Sequence, residues 1–205
     1  MSSRPSSRER ILDAAENVVL TEGATHMTLD AVASKAGVSK GGLIYHFTSQ
    51  RDLLQAMVKR FASNMEACKA KFRATLPASP GREIKASILA WFNLGDEYRR
   101  AATALLAAVT RDPKLLNDVR KERLKNMAGI LNASPSPERV TILLFAMEGI
   151  WMSELLGISS FTKSARSQIK RTLLQLADEW FRPPATPVPQ KCPRRQRKMN
   201  DSVSK

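Results

Sequence analysis

The sequence predicts an all-α protein, in which an N-terminal three-helix domain carries a helix-turn-helix and a larger helical domain follows. Apolar residues recur at helical spacing along most of the chain, and no segment of any length alternates in the manner of a β-strand. Residues 28–47 are also predicted to form two short helices separated by a tight turn. We therefore expect a disordered N-terminus (1–7), the helix-turn-helix domain (8–48), a helical domain (49–182) and a disordered basic tail (183–205).

The first two helices are each predicted from an apolar face and from residues that suit helix ends. The first covers 8–22 and is followed by Gly23, a residue typical of helix C-termini. Its apolar face consists of Ile11, Ala14, Ala15, Val18 and Val19. The second helix begins after Thr28, whose hydroxyl can accept an unpaired backbone N–H, and ends before Gly37. Because short helices nucleate poorly in water, we expect the helix-turn-helix to be stable only when docked on the first helix.

The third helix is predicted to start after Ser39, a typical N-cap residue. In a helix-turn-helix, the first turn of the second helix approaches the bases of a DNA major groove. Here that turn contains Lys40, Gly41 and Gly42. The small residues allow backbone N–H groups and the helix dipole to approach a phosphate, and Lys40 can contact a phosphate or a guanine edge. We expect Leu43 to face the domain core.

Local signals place the remaining helices. Ser49 and Asp52 form a Ser-x-x-Asp capping box that opens a long fourth helix, and residues 77–81 contain the breakers that end it. Asp112-Pro113 opens a later helix, because proline suits a first helical turn. This later helix is strongly charged, and we expect it to be largely exposed. The predicted helices after the break cover 82–98, 101–109, 112–131, 138–156 and 162–181.

The formal net charge of +14 favours an anionic partner, but the charges are unevenly distributed. Residues 1–48 contain five Lys or Arg and five acidic residues, so the helix-turn-helix domain is neutral. Residues 183–205 contain six Lys or Arg and one acid, are rich in proline and lack apolar periodicity, which predicts disorder. Two interpretations of this tail stay open: an inert extension, or a non-specific clamp on DNA phosphates.

Several classes of protein are disfavoured by the sequence. It contains no run of about 18 apolar residues, and residues 1–10 lack the apolar region of a secretion signal. Cys68 and Cys192 are far apart, which fits a reducing cytoplasm, and we expect the protein there. His26 and His46 belong to no Cys/His cluster, so we expect no metal and no cofactor. Because paired Glu-x-x-His sequences and an evident Ser/His/Asp grouping are lacking, we expect no enzyme activity.

The order of these signals resembles the TetR/AcrR family of bacterial transcriptional regulators over about residues 8–60. The resemblance lies in the cap of the second helix, the Ala-Gly-Val-Ser turn, the Lys-Gly start of the third helix, the aromatic run Tyr45-His46-Phe47 and the following Ser-x-x-Asp-Leu. It implies a ligand-responsive regulator, most often a repressor, that binds a palindromic operator on double-stranded DNA as a homodimer. The alternative is a non-specific or architectural DNA-binding protein that uses its basic tail.

The resemblance also implies a set of DNA-binding residues. Tyr45 and His46 match family positions that hydrogen-bond the phosphate backbone. The chain departs from the family pattern at Ile44, where many relatives carry an aromatic hydroxyl, and at Thr48 and Gln50, where many carry lysine. The predicted DNA-binding residues are Thr28, Ser39, Lys40, Gly41, Gly42, Ile44, Tyr45, His46, Thr48 and Gln50.

In this family the middle helices usually surround an effector pocket, so the resemblance implies a small apolar effector. Methionine and aromatic side chains suit an adaptable site for such a ligand. Residues of these types more often form a plain hydrophobic core, and that interpretation stays open here. The candidate pocket residues are Phe61, Met65, Trp91, Phe92, Asn93, Phe145, Met147, Glu148 and Trp151.

The last two long helices of the family pair with their copies in a second subunit and form a four-helix bundle. The corresponding segments here are 138–156 and 162–181. The competing interpretation is that their apolar faces build only the core of one subunit. The candidate interface residues are Leu144, Trp151, Leu155, Ile169, Leu173, Leu176 and Trp180.

Overall fold

The computed structural model of the protein describes residues 6–23, 26–159 and 161–182, and every regular element within these ranges is helical. The all-α prediction is therefore confirmed. The elements are α1 (Ser7–Glu22), α2 (Leu29–Ala36), α3 (Lys40–His46), α4 (Gln50–Thr75), α5 (Arg82–Phe92), α6 (Asp96–Arg111), a 3₁₀ turn (Pro113–Leu116), α7 (Asn117–Asn132), α8 (Pro137–Leu155) and α9 (Lys163–Trp180).

The predicted caps of the short N-terminal helices are present. The Thr28 hydroxyl accepts the Ala31 N–H at 3.1 Å, and the Ser39 hydroxyl accepts the Gly42 N–H at 3.0 Å. Gly37 ends α2 in the left-handed conformation with φ of 64°, which glycine adopts without steric cost. The turn between α2 and α3 is therefore fixed by local hydrogen bonds on both sides.

Two apolar cores hold the helices together. The first joins α1, α2, α3 and the N-terminal half of α4 to the C-terminal half of α6 and the 3₁₀ turn. The second joins α5, α8 and α9 with the end of α7. The helix-turn-helix therefore shares its core with α4 and α6, and its packing continues beyond residue 48.

Several predicted boundaries were wrong. Ser6 and Ser7 are ordered, since α1 begins at Ser7 and the Ser6 hydroxyl accepts the Glu9 N–H at 3.2 Å. The helix predicted over 82–98 ends at Phe92, and α6 begins at Asp96 rather than at 101. The break forms where Leu94 is buried, so the chain must turn inward there.

The helix predicted over 112–131 consists of two parts. The Asp112 carboxylate accepts the Lys114 N–H at 3.1 Å, and the 3₁₀ turn forms before α7 begins. As expected from its charge, α7 is mostly exposed, and Ile130 is its one buried residue. Residues 1–5 and 183–205, which include the predicted basic tail, lie outside the described residues.

Among the helices of the described residues, none combines the length and the apolar character needed to cross a membrane. The same part of the chain contains no group of three or more His, Cys, Asp or Glu side chains placed to hold a metal ion.

An ionic cluster joins α1 to α4. Arg60 on α4 lies 2.7 Å from Asp13, 3.3 Å from Glu9 and 2.6 Å from Glu16, three acids that follow one face of α1. The Nη2 contact with Glu16 is an ion pair without hydrogen-bond alignment, whereas Nε donates to the same carboxylate at 3.0 Å. Burial alone would lower the pKa of Arg60, but the hydrogen bonds and charges of Glu16 and Asp13 raise it above its usual value.

We expect Arg60→Ala to lower the free energy of unfolding by about 1–2 kcal/mol. The Arg60 side chain is only 15% exposed, but its acidic partners are more accessible, so the loss should be smaller than for a fully buried pair. Urea denaturation measures the change. Arg171→Ala is the matched control, because Arg171 is exposed and forms no ion pair within the described residues. An equal effect of the two substitutions would contradict a stabilising role for the cluster.

Candidate DNA interface

The short helix α3 has one anchored side and one exposed side. Leu43 is fully buried, as the sequence predicts, and Phe47, at the C-terminus of α3, is almost completely buried. On the other side, Ile44 is partly exposed and the Tyr45 side chain is 84% exposed. We call Lys40, Gly41, Ile44 and Tyr45 the outer face of α3. This face presents charge, bare backbone, a branched apolar group and a phenol to the solvent.

Lys40 forms an ion pair with Asp30, a contact that was not predicted from the sequence. Its ammonium lies 3.0 Å from the carboxylate of Asp30, which belongs to the first turn of α2. Both side chains are mostly exposed, so the pair contributes little to stability. Its effect is to place one negative charge directly beside the cation of the outer face. The spacing of ten residues gives no helical periodicity that would reveal this contact.

The end of α3 carries an aromatic group. The rings of Tyr45 and His46 meet edge to face with centroids 5.1 Å apart. Arg8 of α1 lies over the Phe47 ring at 5.2 Å, so a cation from the first helix is brought beside the end of α3. The position of Arg8 beside Phe47 was not predicted from the sequence, because it depends on the packing of α1 on α3.

Gly41 and Gly42 differ in their surroundings. A Cβ atom at Gly41 would meet nothing within 4 Å, whereas one at Gly42 would lie 3.2 Å from the Ser39 hydroxyl that caps α3. The protein itself therefore imposes no packing requirement for glycine at 41. A side chain at Gly42 would require the Ser39 hydroxyl to move by a few tenths of an ångström.

Besides Lys40, four of the predicted DNA-binding side chains make hydrogen bonds within the protein. The Thr28 and Ser39 hydroxyls cap α2 and α3, as described above. The Thr48 hydroxyl donates to the Asp52 carboxylate, and this bond lowers the pKa of that carboxyl. The Gln50 amide donates to the Met27 carbonyl and so ties the start of α4 to the segment before α2. These groups position the helix-turn-helix, and a DNA contact from any of them stays a prediction.

The candidate effector-pocket residues do not form one group. Phe61 stacks on Tyr98 at 4.1 Å, and Trp91 meets Trp151 edge to face at 4.8 Å. The Tyr98 hydroxyl donates to the Phe61 carbonyl at 3.2 Å, and burial raises the pKa of this phenol. The Trp151 indole N–H is buried and has no hydrogen-bond partner in the part of the chain that the structure describes.

The other candidates have different environments. Phe92 and Met147 are buried in the second core, and Met65 is half-buried. Asn93 is exposed and its amide donates to the Leu89 carbonyl at 2.7 Å, so it ends α5. Glu148 pairs with Arg123 of α7. Phe145 was predicted to be internal and is instead exposed, because its side of α8 is not covered by the subunit.

The exposed apolar side of α8 was not identified from the sequence. Ile142, Phe145, Met152 and Leu156 lie on one helical face at successive steps of three, seven and four residues, and each is more than 40% exposed. We call this set the α8 stripe. Of the predicted interface residues, Leu144 and Leu173 are buried in the core of the subunit itself. The remaining five, Trp151, Leu155, Ile169, Leu176 and Trp180, are half-buried.

Comparison with known proteins matches both parts of the chain. Residues 11–57 match the family model of bacterial regulatory proteins of the tetR family, and residues 81–178 match that of the tetracyclin repressor-like C-terminal domain. The chain is 42% identical over 52 residues to the transcriptional regulator SrpR of Pseudomonas putida, and 41% identical over 54 residues to the transcriptional repressor BepR of Brucella suis. These matches cover 25% and 26% of the chain, and 24% and 26% of the two relatives.

The fold is also similar to that of solved structures over most of its length. The multidrug binding protein EbrR, in complex with malachite green, superimposes with a TM-score of 0.63 and 26% identity over 84% of this chain and 98% of EbrR. The matched relatives are transcriptional regulators and not enzymes. With the helix-turn-helix and the C-terminal helical domain both matched in their family order, the chain belongs to the TetR/AcrR family of DNA-binding transcriptional regulators.

Proposed function

We propose that the protein is a ligand-responsive repressor that binds a palindromic operator as a homodimer. The observation that carries the DNA-binding part is the two-sided α3, which is anchored by Leu43 and presents its outer face to solvent. The first turn of this helix offers Lys40 and the exposed backbone of Gly41, a combination suited to close contact with DNA. The similar regulator BepR is a transcriptional repressor, which supports repression as the direction of regulation.

The residues of the outer face have distinct proposed roles. Lys40 contacts a phosphate or a guanine, and Tyr45 donates its hydroxyl to the phosphate backbone. Ile44 can meet a thymine methyl group, for which its exposed apolar side chain is suited. Arg8, beside the end of α3, adds a cation near the same surface. The Asp30 carboxylate opposes binding, because it lies next to Lys40 and repels phosphates.

The α8 stripe supports the homodimer. Four large apolar side chains on one face of a long helix form a patch of the kind that marks a protein interface. A two-fold axis would place the same stripe of a second copy against it, which gives a self-complementary contact. Such a dimer presents two copies of α3 to successive major grooves, about 34–36 Å apart.

The Trp91–Trp151 pair supports the response to a small molecule. The buried Trp151 indole N–H lacks a partner among the described residues, and such groups are rare in folded proteins. A ligand acceptor would satisfy it beside two aromatic faces. EbrR, whose structure is similar, is a multidrug binding protein, which is consistent with an aromatic, adaptable site in such folds.

Selection of bound fragments from genomic DNA tests the proposal as a whole. We expect the enriched fragments to share an inverted repeat whose half-sites are about one helical turn apart or a multiple of it. The ratio of operator to random-DNA affinity at fixed salt is then measured. Enrichment without any two-fold-related half-sites, together with a ratio near one, would favour the non-specific alternative and overturn the proposal.

We expect Lys40→Ala and Asp30→Asn to change DNA affinity in opposite directions. Loss of one phosphate contact by Lys40→Ala should reduce the slope of log affinity against log salt by about 1, while Asp30→Asn should raise affinity for DNA of any sequence. Fluorescence anisotropy over a salt series measures both. Lys121→Ala removes an exposed α7 cation and is the control for total charge. An unchanged slope in Lys40→Ala together with an unchanged affinity in Asp30→Asn would remove this pair from the interface.

Gly41→Ala should separate stability from DNA binding. Alanine favours the helix, so the free energy of unfolding should rise by up to about 1 kcal/mol, since nothing in the protein obstructs the new methyl group. If DNA approaches the backbone here, losing one amide–phosphate hydrogen bond costs about 1.5–3 kcal/mol, or about ten- to a hundredfold in affinity. Gly129→Ala, in the exposed part of α7, is the matched control and should only add stability. Full operator affinity in Gly41→Ala would contradict close approach.

Phe145→Glu should weaken the homodimer at least about tenfold, because the charge would be buried against its own copy across a two-fold axis. Sedimentation over a concentration series measures the dissociation constant, and circular dichroism checks that the helices persist. Leu124→Glu introduces the same charge at an α7 side chain that is 61% exposed, against 60% for Phe145, and should leave assembly unchanged. If both variants assemble like the unmodified protein, the α8 stripe is not the interface.

A further inference from the structure

A cleft of about 420 Å³ opens where the end of α1, the exposed side of α6 and the end of α8 meet. We call it the junction cleft. Its volume falls within the range of small-molecule sites. None of the predicted effector-pocket residues lines it, so it is distinct from the Trp91–Trp151 region. It also lies along the contact between the first helix of the DNA-binding part and the helices of the C-terminal part.

The walls of the junction cleft are aliphatic. Val19 and Leu20 come from α1, Ala104 and Ala107 from α6, and Leu155 from α8. No aromatic ring lines it, so flat ring stacking is not available to a ligand there. The methyl and methylene groups suit a hydrocarbon chain, whose transfer from water contributes about 0.8 kcal/mol for each buried CH₂.

The rim of the cleft carries one cation in excess. Arg99 pairs with Asp96 and lies 3.7 Å from Glu154, and Glu154 is held by Arg166 at 2.7 Å. The Glu154 carboxylate is therefore already neutralised by its arginine neighbours. Arg100 lines the cleft and is exposed, and it lies within the field of Asp96 but forms no close ion pair of its own among the described residues. A single negative charge on the ligand would complement the Arg100 guanidinium.

We propose that the junction cleft binds an aliphatic monocarboxylate. The carboxylate accepts hydrogen bonds from Arg100, in a geometry for which the planar guanidinium is well suited. The hydrocarbon chain lies between α1 and α6 against Val19, Ala104 and Ala107. This site goes beyond the proposed function, which needs only one effector pocket elsewhere in the domain.

Occupation of the cleft has a consequence for DNA binding, and this part of the inference rests on the proposed function. Val19 and Ala104 belong to the first apolar core, which also holds α3 through Leu43. A ligand inserted at this seam contacts both α1 and α6. Operator affinity therefore changes when the ligand is bound, provided that its affinity differs between the DNA-bound and free forms.

Isothermal titration of the full-length protein with octanoate tests binding without any DNA. We expect saturable binding that weakens at least about tenfold in Arg100→Gln, which removes the charge, and in Ala107→Trp, which fills the cleft. Arg171→Gln is the control for a lost surface cation and should bind like the unmodified protein. Octylamine, with the same chain and opposite charge, should bind at least about tenfold more weakly than octanoate. Circular dichroism checks that each variant is folded.

The outcomes separate this inference from the proposed function. Failure of the unmodified protein to bind octanoate, or equal octanoate affinity in all variants, would overturn the site. Equal affinity for octanoate and octylamine would overturn the role of Arg100. Operator affinity without ligand is measured in parallel and should be the same in Arg100→Gln as in the unmodified protein. If the unmodified protein binds no operator, that result would count against the proposed function alone.

Discussion

The structure depends on the burial of α1 beneath the helix-turn-helix. Helices of eight and seven residues, the lengths of α2 and α3, are not stable in isolation. They become stable because Ile11, Leu12 and Val18 of α1 are almost completely buried in the same core as Val32 and Leu43. The same core includes α4 and α6, so the orientation of α3 relative to the C-terminal helices is fixed by apolar packing. Arg60 adds an ionic contact to this arrangement, since it holds three acids of α1 on α4.

The N-terminal part could be predicted closely, because its signals are local. Thr28, Ser39 and Ser49 cap helices with hydroxyls that accept N–H groups three residues ahead, and this chemistry depends only on neighbouring residues. The break after Phe92 was not predicted, although Asn93 and Gly95, the C-cap of α5 and the N-cap of α6, are residue types common at helix ends. The turn also buries Leu94, which sequence periodicity does not reveal.

The α8 helix is a second case in which the sequence did not predict which side chains are buried. It is apolar around much of its circumference, so Met147 and Phe145 were both assigned to an interior pocket. The structure buries Met147 and leaves Phe145 exposed, because the choice depends on where α5 and α9 pack. Charge counting was limited in a similar way. The neutral total of residues 1–48 hides that three acids are engaged by Arg60, which lies outside that segment.

The sparse packing of α7 has a consequence for motion in the folded protein. This helix has 16 residues but only Ile130 is buried, so little apolar burial opposes its local opening. We expect its backbone amides to exchange with solvent deuterium well before those of α1, where six residues are buried. Because α7 contacts α8 through the pair of Arg123 and Glu148, each opening of α7 releases a side chain one turn from Trp151. Opening of α7 therefore frees the Glu148 carboxylate from its ion pair, while α8 itself stays packed in the second core.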